Sequence, residues 1–286
     1  MKIVLAGAFG HLGTDILRSL IREGYEVVAL DLKEKDIPEL KGKYTFHSID
    51  ITDPKTLEGT CDGADAVITT VGLVSKSATL TNYDVDLNGN LNLLNEAKRS
   101  GVKKFLYVSV IHADSAPDVP MLEAKHQFEE KLKASTLAYT IVRPTGYFYD
   151  IAHVFMPMIE KGKVTLLGHH DHPVNVVDTP DLADFIVSKI PEKENRTYEV
   201  GGKETYNYKE IATLFFQAAG KKVKISHAPI FLFDLIIKKA AKKHDGSEAL
   251  IRFSKWTLTH DMEGDTKVGN HSFKEYVQSL YAKEDK

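Results

Sequence analysis

The chain has 286 residues, of which 43% are hydrophobic, so it can bury a full core as one large domain or as one domain with a smaller lobe. Its formal net charge of -3 excludes the bulk positive charge on which nucleic-acid binding depends. The single cysteine, Cys61, excludes both an internal disulfide and a thiolate cluster.

The first 31 residues have the pattern of a dinucleotide-binding unit. An apolar, β-branched run from Lys2 to Ala6 predicts a strand that is buried on both faces. The turn Gly7-Ala8-Phe9-Gly10-His11-Leu12-Gly13 follows, and leucines and isoleucines at helical spacing then predict a helix. A second apolar strand, Glu26 to Leu30, ends on Asp31.

Each part of this unit has a physical role in holding a dinucleotide. The glycines permit a tight turn and close approach to a pyrophosphate, and the free amides of the helix N-terminus hold its charge. Asp31 would accept hydrogen bonds from the adenosine ribose and repel a 2′-phosphate, whereas Lys33 and Lys35 could accommodate one. We therefore predict NAD(P)H, with a preference for NAD. The predicted contacts are Gly7, Phe9, Gly10, His11, Leu12, Gly13 and Asp31; a glycine turn without a ligand is the alternative.

Strands and helices alternate to about residue 150, which predicts a parallel sheet covered by helices on both faces. The third strand, Tyr44 to Ile49, leads to Asp50 and Ile51, and the fourth, Ala66 to Gly72, ends at Val71 and Gly72. Open α/β sheets bind ligands at the carboxyl ends of their strands. Asp50, Ile51, Val71 and Gly72 are therefore predicted at the cofactor cleft, with a turn or helix-capping role as the alternative for Asp50.

A long helix is predicted from Tyr83 to Ser100, and the fifth strand then ends at Ser109. The ordered string from Asp84 to Ser109, together with the GxxGxxG turn at the N-terminus, resembles the extended and atypical branches of the short-chain dehydrogenase/reductase superfamily. The resemblance implies a Rossmann-like, doubly wound parallel sheet with a smaller C-terminal α+β lobe. It also implies a catalytic serine at Ser109, which hydrogen-bonds the substrate carbonyl, and a backbone-bonding asparagine at Asn88.

The superfamily's Tyr-x-x-x-Lys pair is incomplete in this sequence. The lysine is present as Lys125, but Met121 occupies the tyrosine position, and a thioether cannot donate a proton. In one interpretation hydride transfer persists, and Lys125, expected to be isolated and desolvated, acts as acid or ribose anchor, as in isoflavone-reductase-like enzymes. In the other, turnover is lost, as proposed for NmrA-like redox sensors.

The sixth strand, Leu137 to Val142, runs into the turn Arg143-Pro144-Thr145-Gly146. In the families that the chain resembles, this turn passes beside the nicotinamide. Pro144, Thr145 and Gly146 are accordingly predicted as cofactor contacts, and Arg143 as a structural ion-pair residue. His112, His126, Tyr147 and Tyr149 are given structural roles.

The domains predicted are an NAD(P)-binding Rossmann domain over 1–150 and an interleaved, mixed α/β substrate lobe over 151–286. Asn175 is a candidate for the substrate cleft. The run His169-His170-Asp171-His172 has no regular ligand spacing, so no metal site is predicted. The amphipathic helix near 230–243 is interpreted as a lid with a solvated basic tail, with an anionic membrane or a partner as the alternative.

These observations predict an NAD(P)H-dependent oxidoreductase that transfers hydride to a small carbonyl, quinone or conjugated alkene, with Lys125 and Ser109 as catalytic residues. The alternative, motivated by Met121, is a dinucleotide-binding regulatory or assembly protein without turnover and with a protein partner. The first strand begins at once, so no signal or transit peptide is expected. No apolar run approaches the roughly 20 residues of a membrane span, and a cytoplasmic protein is expected.

Overall fold

An eight-stranded parallel sheet forms the centre of the fold in the computed structural model, which describes residues 1–168 and 171–282. Two further strands form a small sheet of their own. In chain order the strands are β1 (Lys2–Ala6), β2 (Glu26–Asp31), β3 (Thr45–Ser48), β4 (Ala66–Thr69), β5 (Lys104–Val108), β6 (Ala138–Pro144), β7 (Val164–Leu167), β8 (Arg196–Gly201), β9 (Ile225–Ala228) and β10 (Thr266–Lys267).

The order of the large sheet is β10-β8-β6-β5-β4-β1-β2-β3. The chain therefore moves outward from β1 in one direction through β2 and β3, and in the other through β4, β5 and β6. Such a reversal is the topological switch point at which doubly wound sheets bind ligands. The predicted α/β class and doubly wound parallel sheet are confirmed.

The helices cover both faces of the large sheet and build the C-terminal half. They are α1 (His11–Arg22), α2 (Asn90–Arg99), α3 (Pro120–Lys133), α4 (Phe148–Glu160), α5 (Thr179–Ser188), α6 (Tyr208–Ala218), α7 (Phe231–Ala241), α8 (Ser247–Thr257) and α9 (Phe273–Ala282). None of these helices has the length and apolar character that a bilayer span requires.

Strand β1 is buried on both faces because its alternate side chains enter two different cores. Ile3 and Leu5 join the core beneath α1 and α5, whereas Val4 and Ala6 join the core beneath α2 and α3. A strand with two covered faces needs an unbroken apolar run rather than an alternating one. This requirement explains the sequence Lys2 to Ala6, and it fixes the glycine turn at the carboxyl edge of the sheet.

The predicted long helix from Tyr83 to Ser100 is helical to Arg99, but its first half is not a regular α-helix. Tyr83–Gly89 forms a π-helical segment, and regular α-helix begins only at Asn90. The side-chain amide of Asn90 donates to the backbone carbonyl oxygen of Asp86 at 3.0 Å. This bond competes with the regular backbone hydrogen bonds of a helix. A Cβ on Gly89 would lie 2.7 Å from Ile51 Cγ2, so the segment packs closely against the loop after β3. Short π segments are frequent at functional sites.

The C-terminal half contributes to both sheets. Strand β8 pairs with β6, β10 pairs with β8, and β7 and β9 form the small parallel sheet. Helix α5 packs against α1 and begins at a side-chain cap, because Asp178 accepts from the Thr179 amide at 3.0 Å. The predicted capping role of Asp178 is confirmed.

Candidate dinucleotide and catalytic site

The glycine turn brings backbone atoms too close together for any larger residue. Gly7 has a φ of +77°, and a Cβ there would lie 2.5 Å from Thr70 Oγ1. A Cβ on Gly13 would lie 1.9 Å from the Gly7 carbonyl oxygen. Helix α1 starts directly after this turn, and its N-cap, Gly10, supplies no side-chain acceptor. The first-turn amides are thus left to an external acceptor, which suits a pyrophosphate.

Asp31 lies at the tip of β2 beside the glycine turn. Its Oδ2 accepts from the Phe9 amide and its Oδ1 from the Leu32 amide, both at 2.8 Å. A carboxylate offers about four acceptor positions, so two remain. Asp31 therefore fixes the turn and retains acceptors that suit ribose hydroxyls.

Replacing Asp31 by asparagine is expected to shift cofactor preference towards NADPH. The amide oxygen can still accept from Phe9, while removal of the charge relieves repulsion of a 2′-phosphate by about tenfold or more in Kd at short range. Titration of Asp31→Asn with NADH and NADPH measures the ratio of the two Kd values. A ratio equal to that of the wild type would contradict the role assigned to Asp31.

An aromatic contact spans from the glycine turn to the start of α4. The rings of His11 and Tyr149 have centroids 3.6 Å apart, and Tyr147 stacks on Tyr149 at 5.7 Å. Burial raises the pKa of both tyrosines, so both keep their protons. The sequence contains all three residues, but no spacing rule connects position 11 to position 149.

Lys125 is not isolated, contrary to the expectation from sequence. Its Nζ lies 3.0 Å from Asp86 Oδ1 in an ion pair whose side chains are 9% and 1% exposed. The other carboxylate oxygen of Asp86 accepts from the Leu73 amide at 3.1 Å and from the Asn82 side chain at 3.0 Å. A Cβ on Gly72 would lie 2.6 Å from Asp86 Oδ1 and 3.1 Å from Lys125 Nζ. The turn after β4 therefore lies directly against the ion pair.

Two buried hydroxyl groups lie on the same side of strand β5. Ser109 Oγ and the Tyr107 hydroxyl have no hydrogen-bond partner of normal geometry among residues 1–168 and 171–282. Lys125 Nζ lies 5.5 Å from the centroid of the Tyr107 ring. Burial, with Asp86 and Glu129 nearby, raises the pKa of Tyr107 well above its usual value. The Tyr107 and Ser109 side chains interact with each other, and a buried Ser109 hydroxyl that has no other partner of normal geometry is suited to an incoming acceptor oxygen.

The backbone-bonding asparagine is Asn90 and not the predicted Asn88. Asn88 is exposed, whereas Asn90 is fully buried. The side-chain amide nitrogen of Asn90 donates to the Val71 carbonyl at 3.2 Å, and its side-chain oxygen accepts from Thr69 Oγ1 at 2.8 Å. The π-helical segment displaces the register of the helix, which a regular 3.6-residue pattern does not anticipate. Asn90 thus holds the loop that carries Val71 and Gly72.

The other predicted cleft residues lie at carboxyl ends of strands. Asp50 Oδ1 accepts from both the amide and the hydroxyl of Thr52, at 2.9 and 2.7 Å, which gives it the turn role considered as the alternative. Ile51 is buried, and its carbonyl accepts from Asn92 at 3.0 Å. Contacts of Asp50, Ile51 and Val71 with a cofactor stay predictions.

The turn Pro144-Thr145-Gly146 is held rigidly at the end of β6. The Thr145 amide donates to the Val200 carbonyl at 2.9 Å, and the Gly146 carbonyl accepts from Val177 at 3.0 Å. Thr145 Oγ1 donates to the Asn175 carbonyl at 2.7 Å. These groups already form hydrogen bonds within the protein, so they are not available as donors to a cofactor. The turn would instead offer a cofactor a surface of fixed shape.

Arg143 lies at the centre of a buried ion-pair network. It donates two hydrogen bonds to the fully buried Glu129, at 3.0 and 2.7 Å, and further bonds to Asp114 and Glu199. The predicted structural role agrees with these contacts. His112 has a left-handed φ of 53° and its Nδ1 lies 3.6 Å from Glu199 Oε1.

Two further expectations concern the C-terminal half. Asn175 is fully buried and exchanges two hydrogen bonds of 2.9 Å with the Gly264 backbone, so its amide does not reach a cleft. His169 and His170 lie outside the described residues, and His172 pairs with Asp261 at 2.7 Å. Within the described ranges no three His, Cys, Asp or Glu side chains come together as a metal site.

Comparisons with known proteins found a matching family model and related sequences. The profile of the NmrA-like family matches residues 1–265. The photosystem II assembly factor Ycf39 of Synechocystis is 28% identical over 261 residues, which cover 90% of this chain and 76% of that protein. The chloroplastic divinyl chlorophyllide a 8-vinyl-reductase of Arabidopsis thaliana is 25% identical over 266 residues, which cover 83% of this chain and 62% of that protein.

A solved structure shares the fold over almost the full length. It is the NADPH-dependent quinone oxidoreductase of Escherichia coli in complex with NADPH, with a TM-score of 0.75 and 20% identity. The match covers 98% of this chain and 99% of that chain. The fold of this chain is therefore that of a known architecture.

Proposed function

The chain belongs to the NmrA-like family, and from that premise we propose that it is an NAD(P)H-dependent oxidoreductase of the atypical short-chain dehydrogenase/reductase type. The observation that carries the proposal is the buried ion pair of Lys125 and Asp86, which lies against Gly72 at the carboxyl edge of the sheet. Burying an ion pair costs roughly several kcal/mol of desolvation per charge, and the attraction between the two charges offsets this cost. A site that keeps such a pair beside a ligand cleft is a functional candidate.

The residues around the glycine turn fit a dinucleotide. The first-turn amides of α1 would bind the pyrophosphate, Asp31 would accept from the adenosine ribose, and Gly72 would lie along the same ribose. Pro144, Thr145 and Gly146 would form the wall beside the nicotinamide. Asp31 favours NAD over NADP, and this preference belongs to the proposal.

The reduced nicotinamide supplies the hydride when it is bound. The chain supplies hydrogen bonding and the proton. Ser109 Oγ, buried and without a hydrogen bond of normal geometry to any described residue, would donate to an acceptor oxygen. Lys125 would act as acid or as ribose anchor, with Asp86 holding its ammonium group in place. Met121, buried one turn before Lys125, takes no part in proton transfer.

The substrate class in this proposal is a small carbonyl, quinone or conjugated alkene. By their names, the solved quinone oxidoreductase acts on a quinone and the vinyl-reductase relative acts on a vinyl group. The test is oxidation of NADH and of NADPH, followed by absorbance, against a panel of benzoquinones, naphthoquinones, enones and aldehydes. Turnover with one acceptor class supports the proposal. Absence of turnover across the panel, with cofactor bound, contradicts it.

Met121 and the similarity to Ycf39 favour a second candidate, a dinucleotide-binding regulatory or assembly protein without turnover. In that case NADH or NADPH binds but no acceptor oxidises it, and Met121→Tyr changes nothing essential. A co-purifying protein whose affinity for the chain depends on bound cofactor would support this candidate. Acceptor-dependent turnover would exclude it.

A further inference from the structure

Helix α7 has a fixed orientation on the body of the protein. Phe233, Ile237 and Ala240 are buried on its inner face. Asp234 forms an ion pair of 2.7 Å with Lys255 of α8, which ties the two helices together. A rotation of α7 about its axis would expose three apolar side chains and break this pair. The outer face of the helix is therefore determined by the fold.

That outer face is apolar at its N-terminal end. Phe231 is 56% exposed, Leu235 55% and Ile236 45%; Phe231 and Leu235 are one helical turn apart, and Ile236 directly follows Leu235. The amphipathic pattern of the sequence predicts a lid helix with apolar residues opposite a solvated basic tail. Instead the helix has apolar residues on both sides, and only the inner set is covered by this chain.

The C-terminal end of the same helix is strongly basic. Lys238 and Lys239 lie in its last turn, and Lys242 and Lys243 follow within four residues. None of the four forms an ion pair with any residue that the structure describes. The chain as a whole carries a net charge of -3, so this cluster opposes the overall charge of the protein. The cluster selects an anionic partner.

The loop after β4 lies against the segment that follows α7. A Cβ on Gly246, which follows α7, would lie 2.8 Å from the Ser77 carbonyl oxygen. The loop after β4 that contains Ser77 also carries Val74, which is 77% exposed. We define the α7 surface as Phe231, Leu235 and Ile236 together with the four lysines.

We propose that the α7 surface docks on an anionic lipid bilayer. Phe231, Leu235 and Ile236 enter the boundary between headgroups and acyl chains, and the four lysines contact acidic headgroups. A second copy of the chain fits less well, because a two-fold contact would set the lysine cluster of one protomer against that of the other or against apolar side chains. The proposal is independent of whether the protein turns over a substrate.

Vesicle flotation at low salt tests the proposal, with vesicles of phosphatidylcholine alone and of phosphatidylcholine mixed equally with phosphatidylglycerol. We expect the wild-type protein to float only with the anionic vesicles. Each lysine near such a surface contributes about a fivefold factor to partitioning, so Lys238→Gln/Lys239→Gln/Lys242→Gln/Lys243→Gln should lower it by well over tenfold. Phe231→Ser/Leu235→Ser should lower it comparably.

Matched controls separate this surface from general charge and apolarity. Lys41→Gln/Lys55→Gln/Lys222→Gln/Lys224→Gln removes four exposed lysines elsewhere, and Val154→Ser/Val223→Ser removes two exposed valines. Both should partition like the wild type. Failure of the wild type to float, or equal losses in the controls, would overturn the proposal. A dimer in light scattering that Phe231→Ser/Leu235→Ser dissociates, without flotation, would instead assign the surface to a second copy.

Discussion

Lys125→Met is expected to lower turnover by about 10²–10⁴-fold if Lys125 acts as the general acid. The same substitution leaves the carboxylate of Asp86, 1% exposed, without its cation, which should destabilise the protein by about 3–5 kcal/mol. Both effects are measured on one preparation, by the rate of cofactor oxidation and by thermal unfolding. If Lys125 is instead a ribose anchor, the Kd for the cofactor rises more than kcat falls.

The double variant Asp86→Asn/Lys125→Met separates catalysis from stability. Removal of both charges is expected to restore most of the free energy of unfolding, but not turnover. Lys104→Met is the matched control, because Lys104 is also buried and lies at the start of β5, at the opposite edge of the sheet from Ser109. Among the described residues it donates to the carbonyls of Tyr139 and Glu192. It should keep full turnover. Full activity in a folded Lys125→Met protein would rule out both roles of Lys125.

Arg143→Met is expected to destabilise the protein by about 3–5 kcal/mol, because it removes the two hydrogen bonds to the fully buried Glu129. For a chain of this size, such a loss lowers Tm by on the order of 10 °C. Thermal unfolding and urea titration measure the change. Cofactor affinity per folded molecule should be unaffected.

Two further variants serve as controls for the destabilisation by Arg143→Met. Glu129→Leu/Arg143→Met replaces the pair by apolar side chains and should recover much of the stability. Arg196→Met removes an exposed pair with Glu194, whose side chains are 56% and 75% exposed, and should cost less than about 1 kcal/mol. Equal destabilisation by Arg143→Met and Arg196→Met would contradict the buried-network interpretation.

The strands and the glycine turn could be predicted because their causes are local. The run Lys2 to Ala6 must be a doubly covered strand, and Gly7 and Gly13 stand where a Cβ would meet backbone or side-chain atoms. The acid at the end of β2 follows from the same short unit. The strand, the turn and the acid all fall within the first 31 residues, although the atom that a Cβ on Gly7 would meet belongs to Thr70.

The catalytic end of the site could be predicted only in part, because its contacts join distant elements. The sequence pattern identifies Lys125, but its partner Asp86 lies on a different element, the segment Tyr83–Gly89, which winds as a π-helix. The same winding moves the buried asparagine from position 88 to position 90. Side-chain bonding by Asn90, rather than periodicity, decides the register there.

The outer face of α7 could not be predicted from the sequence. Phe231 and Leu235 have the spacing of a buried stripe, and only the packing of Phe233, Ile237 and Ala240 against the protein reveals which stripe is covered. Because the helix is apolar on two sides, its hydrophobic pattern is compatible with two orientations of the helix on the protein. The ion pair of Asp234 with Lys255, which distinguishes them, joins residues of different helices.

Calorimetric titration of the purified protein with NADH and, separately, with NADPH tests the central claim that the glycine turn binds a dinucleotide. We predict saturable binding at one site per chain, with the lower Kd for NADH because Asp31 repels a 2′-phosphate. Tighter binding of NADPH would contradict the assigned preference and leave the site intact. Binding of neither dinucleotide would contradict the account itself, since the turn, Asp31 and Lys125 would then serve the fold alone.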